Sequence, residues 1–270
     1  ERAVLGNNLT IMNICLYLFI ALILLSCTAD KENKGSEMKK SFNEFLDSYY
    51  EERLKYFPLE ATQIGDNRYN NLLPNEISEN FRSGIHAFYT RYKSELDNYK
   101  RDSLSVQEQV SYDIFKREME VNLKGLTFKD HLIPVHQFWG MTLTIPQIGS
   151  GKSYQPFKSA KDYEDFLQRI DGFAVWMDTA IVNMRKGLAL GYTYPRILME
   201  RVLPQAKDMM VTDVTQSIFW EPIRNMPAEI AEADSMRLTK AYEEAIRNKV
   251  VPSYQQLYDF LQSEYIPKTR

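Results

Sequence analysis

The sequence predicts a mainly α-helical fold, built as a multi-helix array, and three observations carry that expectation. Apolar residues recur at three- and four-residue spacing from Glu37 almost to the end of the chain. Gly and Pro number only 11 each in 270 residues, below the roughly 12% share usual for the pair, so the elements are long. Ser105-Val106-Gln107-Glu108 is a capping box, a signal that opens a helix. Hydrophobic residues at 44% and charged residues at 26% fit a folded chain with a buried core and not a disordered one.

Taken in order, residues 1–26 read as upstream sequence plus a lipoprotein signal peptide. Ile14 to Leu25 is an unbroken apolar run. It is shorter than the roughly 20 residues a membrane-spanning helix needs and within the roughly 7–15 of a signal-peptide core. Leu24-Leu25-Ser26-Cys27 resembles a bacterial lipobox, which makes Cys27 the expected lipidation site and N-terminus. Translation is expected to start at Met12. Residues 27–36 form a polar tether, and 37–270 the helical domain. The rival readings of the apolar run are an uncleaved anchor and a buried helix.

A first helix carries Phe42, Phe45, Leu46, Tyr49, Tyr50, Leu54 and Phe57. Pro58 opens a short turn that Gly65 ends, and Asp66 to Pro74 is loop chemistry. A second long helix spans about Ile77–Tyr99 with Phe81, Ile85, Phe88, Tyr92 and Leu96 inward. The helix after Ser105 is expected to carry Val110, Ile114, Phe115, Met119 and Leu123 on its apolar face and to end near Gly125. His131 to Phe157 is irregular, interrupted by Pro134, Gly140, Pro146, Gly149, Gly151 and Pro156, with a possible short strand at Met141–Ile145. Ser159 caps a helix from Ala160 to about Leu190, bent at Gly172 and closed by Gly191. Pro195 seeds another through Met210. A last helix begins near Pro227 and is kinked or split by Pro252. The end at Ile266–Arg270 lacks a closing element, so the domain is expected to be the N-terminal half of a longer one.

Several chemistries are disfavoured. With 33 Lys and Arg against 36 Asp and Glu, the net charge is −3, without the basic excess of a nucleic-acid binder. Gly149-Ser150-Gly151-Lys152-Ser153 suggests a phosphate loop, but Pro146 stands where that motif needs glycine, and Tyr154-Gln155-Pro156 follows in place of a helix. His131 and His136 are five apart across Pro134, unlike a zinc pair on one helix face. No Gly-x-Ser-x-Gly elbow occurs. Glu51-Glu52 and Glu243-Glu244 read as solvated helix faces. The 17 Tyr and 14 Phe read as helix packing, some of them lining a peptide groove.

The stretch Phe57-Pro58-Leu59-Glu60-Ala61-Thr62-Gln63-Ile64-Gly65-Asp66-Asn67-Arg68-Tyr69, with Asn70–Pro74 after it, resembles the opening signature of a known family. Pro134-Val135-His136-Gln137, the helix Asp162-Tyr163-Glu164-Asp165-Phe166-Leu167-Gln168-Arg169-Ile170 and the block Met184 to Arg196 are similar to its later motifs, in the same order. The family is domain of unknown function 885, bacterial secreted and lipid-anchored proteins that look like helical zinc metallopeptidases related in architecture to thimet oligopeptidase and carboxypeptidase Taq. The resemblance implies a peptide substrate, zinc in the full-length parent, and a location in the bacterial cell envelope, periplasmic or outer-membrane facing. It places the zinc motif in a C-terminal half beyond this chain, so no catalytic or metal role falls on any residue here. What this half supplies by resemblance is a helical wall of a peptide cleft, sought at Gly65, Asp66, Arg68 and Tyr69 and at His136–Lys152 with Gln137. The rival for the first loop is local structure, with Gly65 closing a helix and Asp66 capping or pairing with Arg68. The rival functions are a helical lipoprotein that binds a peptide or protein partner without catalysis, and a purely structural envelope lipoprotein.

Overall fold

A computed structural model describes residues 40–270, and every element assigned among them is helical. The apolar run, Cys27 and the tether lie outside the described residues. The chain divides into two compact units, Glu1–Glu44 and Phe45–Arg270. In the first, Ser41 and Glu44 form a reciprocal cap: the Ser41 N–H donates to Glu44 Oε2 at 2.8 Å and the Glu44 N–H to Ser41 Oγ at 3.2 Å.

The second unit opens within α1 (Phe42–Tyr56), followed by the short α2 (Pro58–Gln63). Pro58 sits at the start of α2, where a missing N–H costs nothing. Gly65, at φ +87°, lets the Gly65 N–H reach the Thr62 carbonyl and the Asp66 N–H the Ala61 carbonyl, the hydrogen-bond pair of a Schellman C-cap. α3 (Glu79–Leu96) is capped by Ser78, and α4 (Val106–Gly125) by the expected Ser105/Glu108 box. An aromatic core joins α1, α3 and α4: Tyr49 stacks on Phe88 at 5.4 Å and meets Phe115 edge-on at 4.8 Å.

On α4 the inward stripe is Phe115 and Met119, whereas Val110 and Ile114 are exposed, contrary to the sequence expectation. At 100° per residue they lie about 140° and about 100° round the helix from Phe115, so the surface facing α1 and α3 cannot include them.

The second core surrounds α6 (Ala160–Ala189), which buries Tyr163, Phe166, Ile170, Phe173, Trp176, Met177, Ala180 and Met184. Ser159 and Asp162 cap its start, and Gly191, at φ +67°, closes it with a second Schellman pair. α5 (Met141–Gly149) replaces the short strand expected at Met141–Ile145. An isolated strand would leave its backbone polar groups unpaired, and here Thr142, Ile145, Pro146, Ile148 and Gly149 bury a helical face. Pro146 has no N–H to give the Thr142 carbonyl one turn back. The Tyr254 hydroxyl donates to that carbonyl at 2.7 Å and replaces the lost bond.

The expected helix from Pro195 through Met210 divides at Arg201 into α7 (Arg196–Glu200) and α8 (Val202–Asp208). After the one-turn α9 (Glu221–Arg224), the final helix begins at Glu232, five residues later than expected from Pro227. α10 (Glu232–Ala245) and α11 (Val251–Phe260) are joined by a π turn at Ile246–Val250, directly before Pro252. The wider turn lets the helix pass the proline ring without ending. A second π turn follows at Leu261–Tyr265.

Candidate functional site

α6 holds the 58–78 segment along its length. Near its start the Arg169 guanidinium is fully buried and surrounded by oxygens. Its Nε donates to the Leu72 carbonyl at 3.2 Å, its Nη1 to Gln155 Oε1, and its Nη2 to Thr62 Oγ1 at 2.7 Å and the Tyr69 carbonyl at 3.2 Å. The Pro58 carbonyl lies 3.4 Å from the same Nη2. Every one of these acceptors is neutral, so the hydrogen bonds run to dipoles, and the Asp165 carboxylate one turn back adds only its charge. Burial lowers the Arg169 pKa to about 10, which still leaves it protonated at neutral pH.

One turn on, Gly172 lets Leu73 approach so closely that an added Cβ would sit 2.9 Å from both the Leu73 carbonyl and its Cβ. Then the Trp176 Nε1–H donates to Glu76 Oε1 at 2.9 Å, Thr179 Oγ1 accepts from Asn75 Nδ2 at 2.7 Å, and Asn183 Nδ2 donates to the Ile77 carbonyl at 2.9 Å. Gly187 admits the Leu132 and Tyr192 carbonyls, 2.9 and 2.7 Å from where its Cβ would be.

This alignment places Glu76 on the wall of a cavity of about 270 Å³. Ile77, Ile133, Met141, Trp139, Trp176 and Tyr194 give it apolar and aromatic lining, and Glu76, Arg82, Asp130 and His131 its ionisable groups. Desolvation pushes the Glu76 carboxyl above its ordinary range. Arg82 is already engaged: Nη1 donates to Asp130 Oδ1 at 3.2 Å, and Nη2 to the carbonyls of Leu126 at 2.7 Å and Phe128 at 3.0 Å. Burial and the nearby Arg82 charge lower the His131 pKa, which keeps the imidazole neutral. Its Nδ1 is a buried atom without a hydrogen-bond partner.

The sequence-predicted residues fall in two places. Gly65, Asp66, Arg68 and Tyr69 form one loop. There the Arg68 Nε donates to both Asp66 oxygens at 3.0 Å, and its Nη1 to Glu51 Oε2 at 2.8 Å. That guanidinium holds the Asp66 carboxyl below its usual range. Gln137 lies on a different segment, and its carbonyl accepts from Gln205 Nε2 at 2.9 Å. Beside it His136 Nδ1 accepts the Phe138 N–H at 3.1 Å, and the ring stacks on Trp139 at 3.7 Å. Glu76, Arg82 and Trp176 were not legible as a site, while Trp139 falls inside the His136–Lys152 stretch where the cleft wall was sought. Tyr194 lies inside one of the quoted motifs and Trp139 inside the irregular stretch, but nothing local links either to a glutamate in the 70s loop.

At the suspected phosphate loop, Gly149 is packed against Phe166 and Phe219 and Gly151 turns at φ +72°. Among the described residues no three His, Cys, Asp or Glu side chains gather where a metal ion would sit, so zinc has no fitting donor set there. No helix of the described residues is long and apolar enough to cross a membrane.

The crystal structure of a candidate lipoprotein from Colwellia psychrerythraea is similar to this chain, with a TM-score of 0.72 at 13% identity. The match covers 86% of this chain and 42% of that one. A candidate lipoprotein of unknown function from Shewanella oneidensis matches with a TM-score of 0.56 at 14% identity, over 84% of this chain and 39% of that one. At such identities the likeness is one of fold, and this chain spans about two fifths of the length of each. No curated protein matches the sequence. The family of bacterial proteins of unknown function DUF885 matches over residues 58–270, which takes in the Arg169 network and the Glu76 cavity, and the chain belongs to that family.

Proposed function

We propose that this chain is the N-terminal, non-catalytic part of a lipid-anchored, zinc-dependent peptidase-like protein of the bacterial envelope, and that it supplies one wall of a peptide-binding cleft. The observation that carries the reading is the Glu76 cavity. An aromatic-lined hollow with a desolvated carboxylate and an unpartnered imidazole nitrogen is the form of a recognition site and not of plain packing. The two structurally similar proteins named as lipoproteins and the lipobox-like Leu24–Cys27 support the anchor. In this reading the zinc and its ligands belong to sequence outside this chain, as the greater length of the two similar structures allows.

The test is made on the intact protein. Cleavage of a casein digest, lost with a chelator and restored by zinc, is the expected result. Peptide binding without cleavage at any metal loading would instead favour a binding lipoprotein. Cys27→Ala is expected to abolish labelling by a palmitate analogue in a bacterial host, and persistent labelling would refute the anchor.

A further inference from the structure

We propose that the Glu76 cavity is the subsite for a primary ammonium group of the bound peptide, from either a lysine side chain or a free N-terminus. This rests on the peptide-cleft reading and names what that cleft selects.

The charge of the lining favours a cation. A carboxylate removed from water is costly unless a cation or several donors meet it. Glu76 has only its own backbone and the neutral Trp176 indole N–H, and no charged neighbour contributes to its pKa. The one cation lining the cavity, Arg82, is held by Asp130 and two backbone carbonyls. His131 is neutral. The lining therefore keeps one negative charge in excess, and an anionic ligand would meet Glu76 and Asp130 with no free cation to hold it.

The aromatic surroundings favour a cation as well. Indole and phenol rings attract a cation placed over their faces, and Trp139, Trp176 and Tyr194 all line this hollow. The size of the hollow fits too. About 270 Å³ falls just under the roughly 300–1,000 Å³ of whole-ligand pockets, which suits a single side chain or terminus and not a length of peptide.

The experiment is calorimetric titration of the intact protein with four probes. Ac-Gly-Lys-Gly-NH₂ carries only a side-chain ammonium, Gly-Gly-Gly-NH₂ only a terminal one, and Ac-Gly-Gly-Gly-NH₂ neither. A fully acetylated casein digest reports peptide binding in general. At least one ammonium probe is expected to bind at least tenfold more tightly than the uncharged tripeptide, and which one it is names the source. Glu76→Gln is expected to remove that tenfold preference. Trp139→Ala, at an indole that is 62% exposed and so safe for folding, is expected to reduce it several-fold.

Equal affinity for charged and uncharged tripeptides, or an unchanged preference in Glu76→Gln with a native circular-dichroism spectrum, would overturn the subsite. If the acetylated digest still binds in that case, the peptide-cleft reading survives. Failure of all four probes to bind would overturn both.

Discussion

Arg169 stands on α6 and Glu76 meets the same helix two turns further on, at Trp176; the first is fully buried and the second partly so, and their surroundings are opposite. Arg169 is fully buried, with five oxygens within hydrogen-bonding reach. Glu76 has one neutral side-chain donor and faces a hollow. A buried charge surrounded by its own chain fixes a fold, because removing it strands every partner. A partly buried charge left short of partners lowers stability, and such groups collect where a ligand completes them. The first marks the frame of this protein and the second its site.

The largest expected effect is at the frame. Arg169→Leu takes a donor from the Thr62 hydroxyl, Gln155 and the Leu72, Tyr69 and Pro58 carbonyls, and with about 1–3 kcal/mol for each buried polar group left unsatisfied it should be the most destabilised variant of the series. Arg169→Lys should recover little, because one ammonium cannot reach acceptors arranged around a planar fork. Chemical denaturation measures both. A near-native midpoint for the leucine variant would remove the frame from the comparison.

A smaller loss is expected at Gly172→Ala. The new methyl group meets the Leu73 backbone at 2.9 Å, where no flexible side-chain end can swing away, so overpacking should cost about 1–3 kcal/mol. Because Leu73 leads directly to Glu76, the same variant should also weaken any ligand bound in the cavity.

The smallest effect is expected at Arg68→Ala. Arg68 and Glu51 are half exposed and screened by solvent, and exposed pairs contribute little. The melting temperature should not change measurably, which sharpens the contrast between an arginine bonded at the surface and one bonded inside.

Much of this frame was legible locally. The Ser105 and Ser159 caps, the closing glycines Gly65 and Gly191 and the inward face of α6 depend on residues a few positions apart, where spacing alone carries the signal. What failed depended on partners far along the chain. α5 looked like a strand because Met141–Ile145 alternates, and the Tyr254 hydroxyl that supports Pro146 comes from over a hundred residues later. Val110 and Ile114 have helical spacing, but which face of α4 is covered is decided by α1 and α3. Thr62 and Arg169 stood in two separately quoted motifs, and only the fold shows them bonded to each other. Glu76 lies in a loop with no pattern of its own. Its role emerges from Trp176, a hundred positions away.

The division between frame and site is tested most directly by melting wild type and Glu76→Gln across pH, with and without Ac-Gly-Lys-Gly-NH₂ and Gly-Gly-Gly-NH₂. Glu76 has a folded pKa raised above the ordinary 4.5, so the folded state holds its proton more tightly than the unfolded one. Its ionisation therefore counts against stability as pH rises from about 4.5 through the raised value, and the penalty is constant above that. Glutamine can still accept the Trp176 N–H and carries no such penalty. The account predicts that the variant melts at or above wild type at neutral pH, that the two converge toward acid, and that an ammonium peptide raises the melting temperature of wild type alone. A variant that melts well below wild type at neutral pH, or that gains as much from the ammonium peptide, would contradict it.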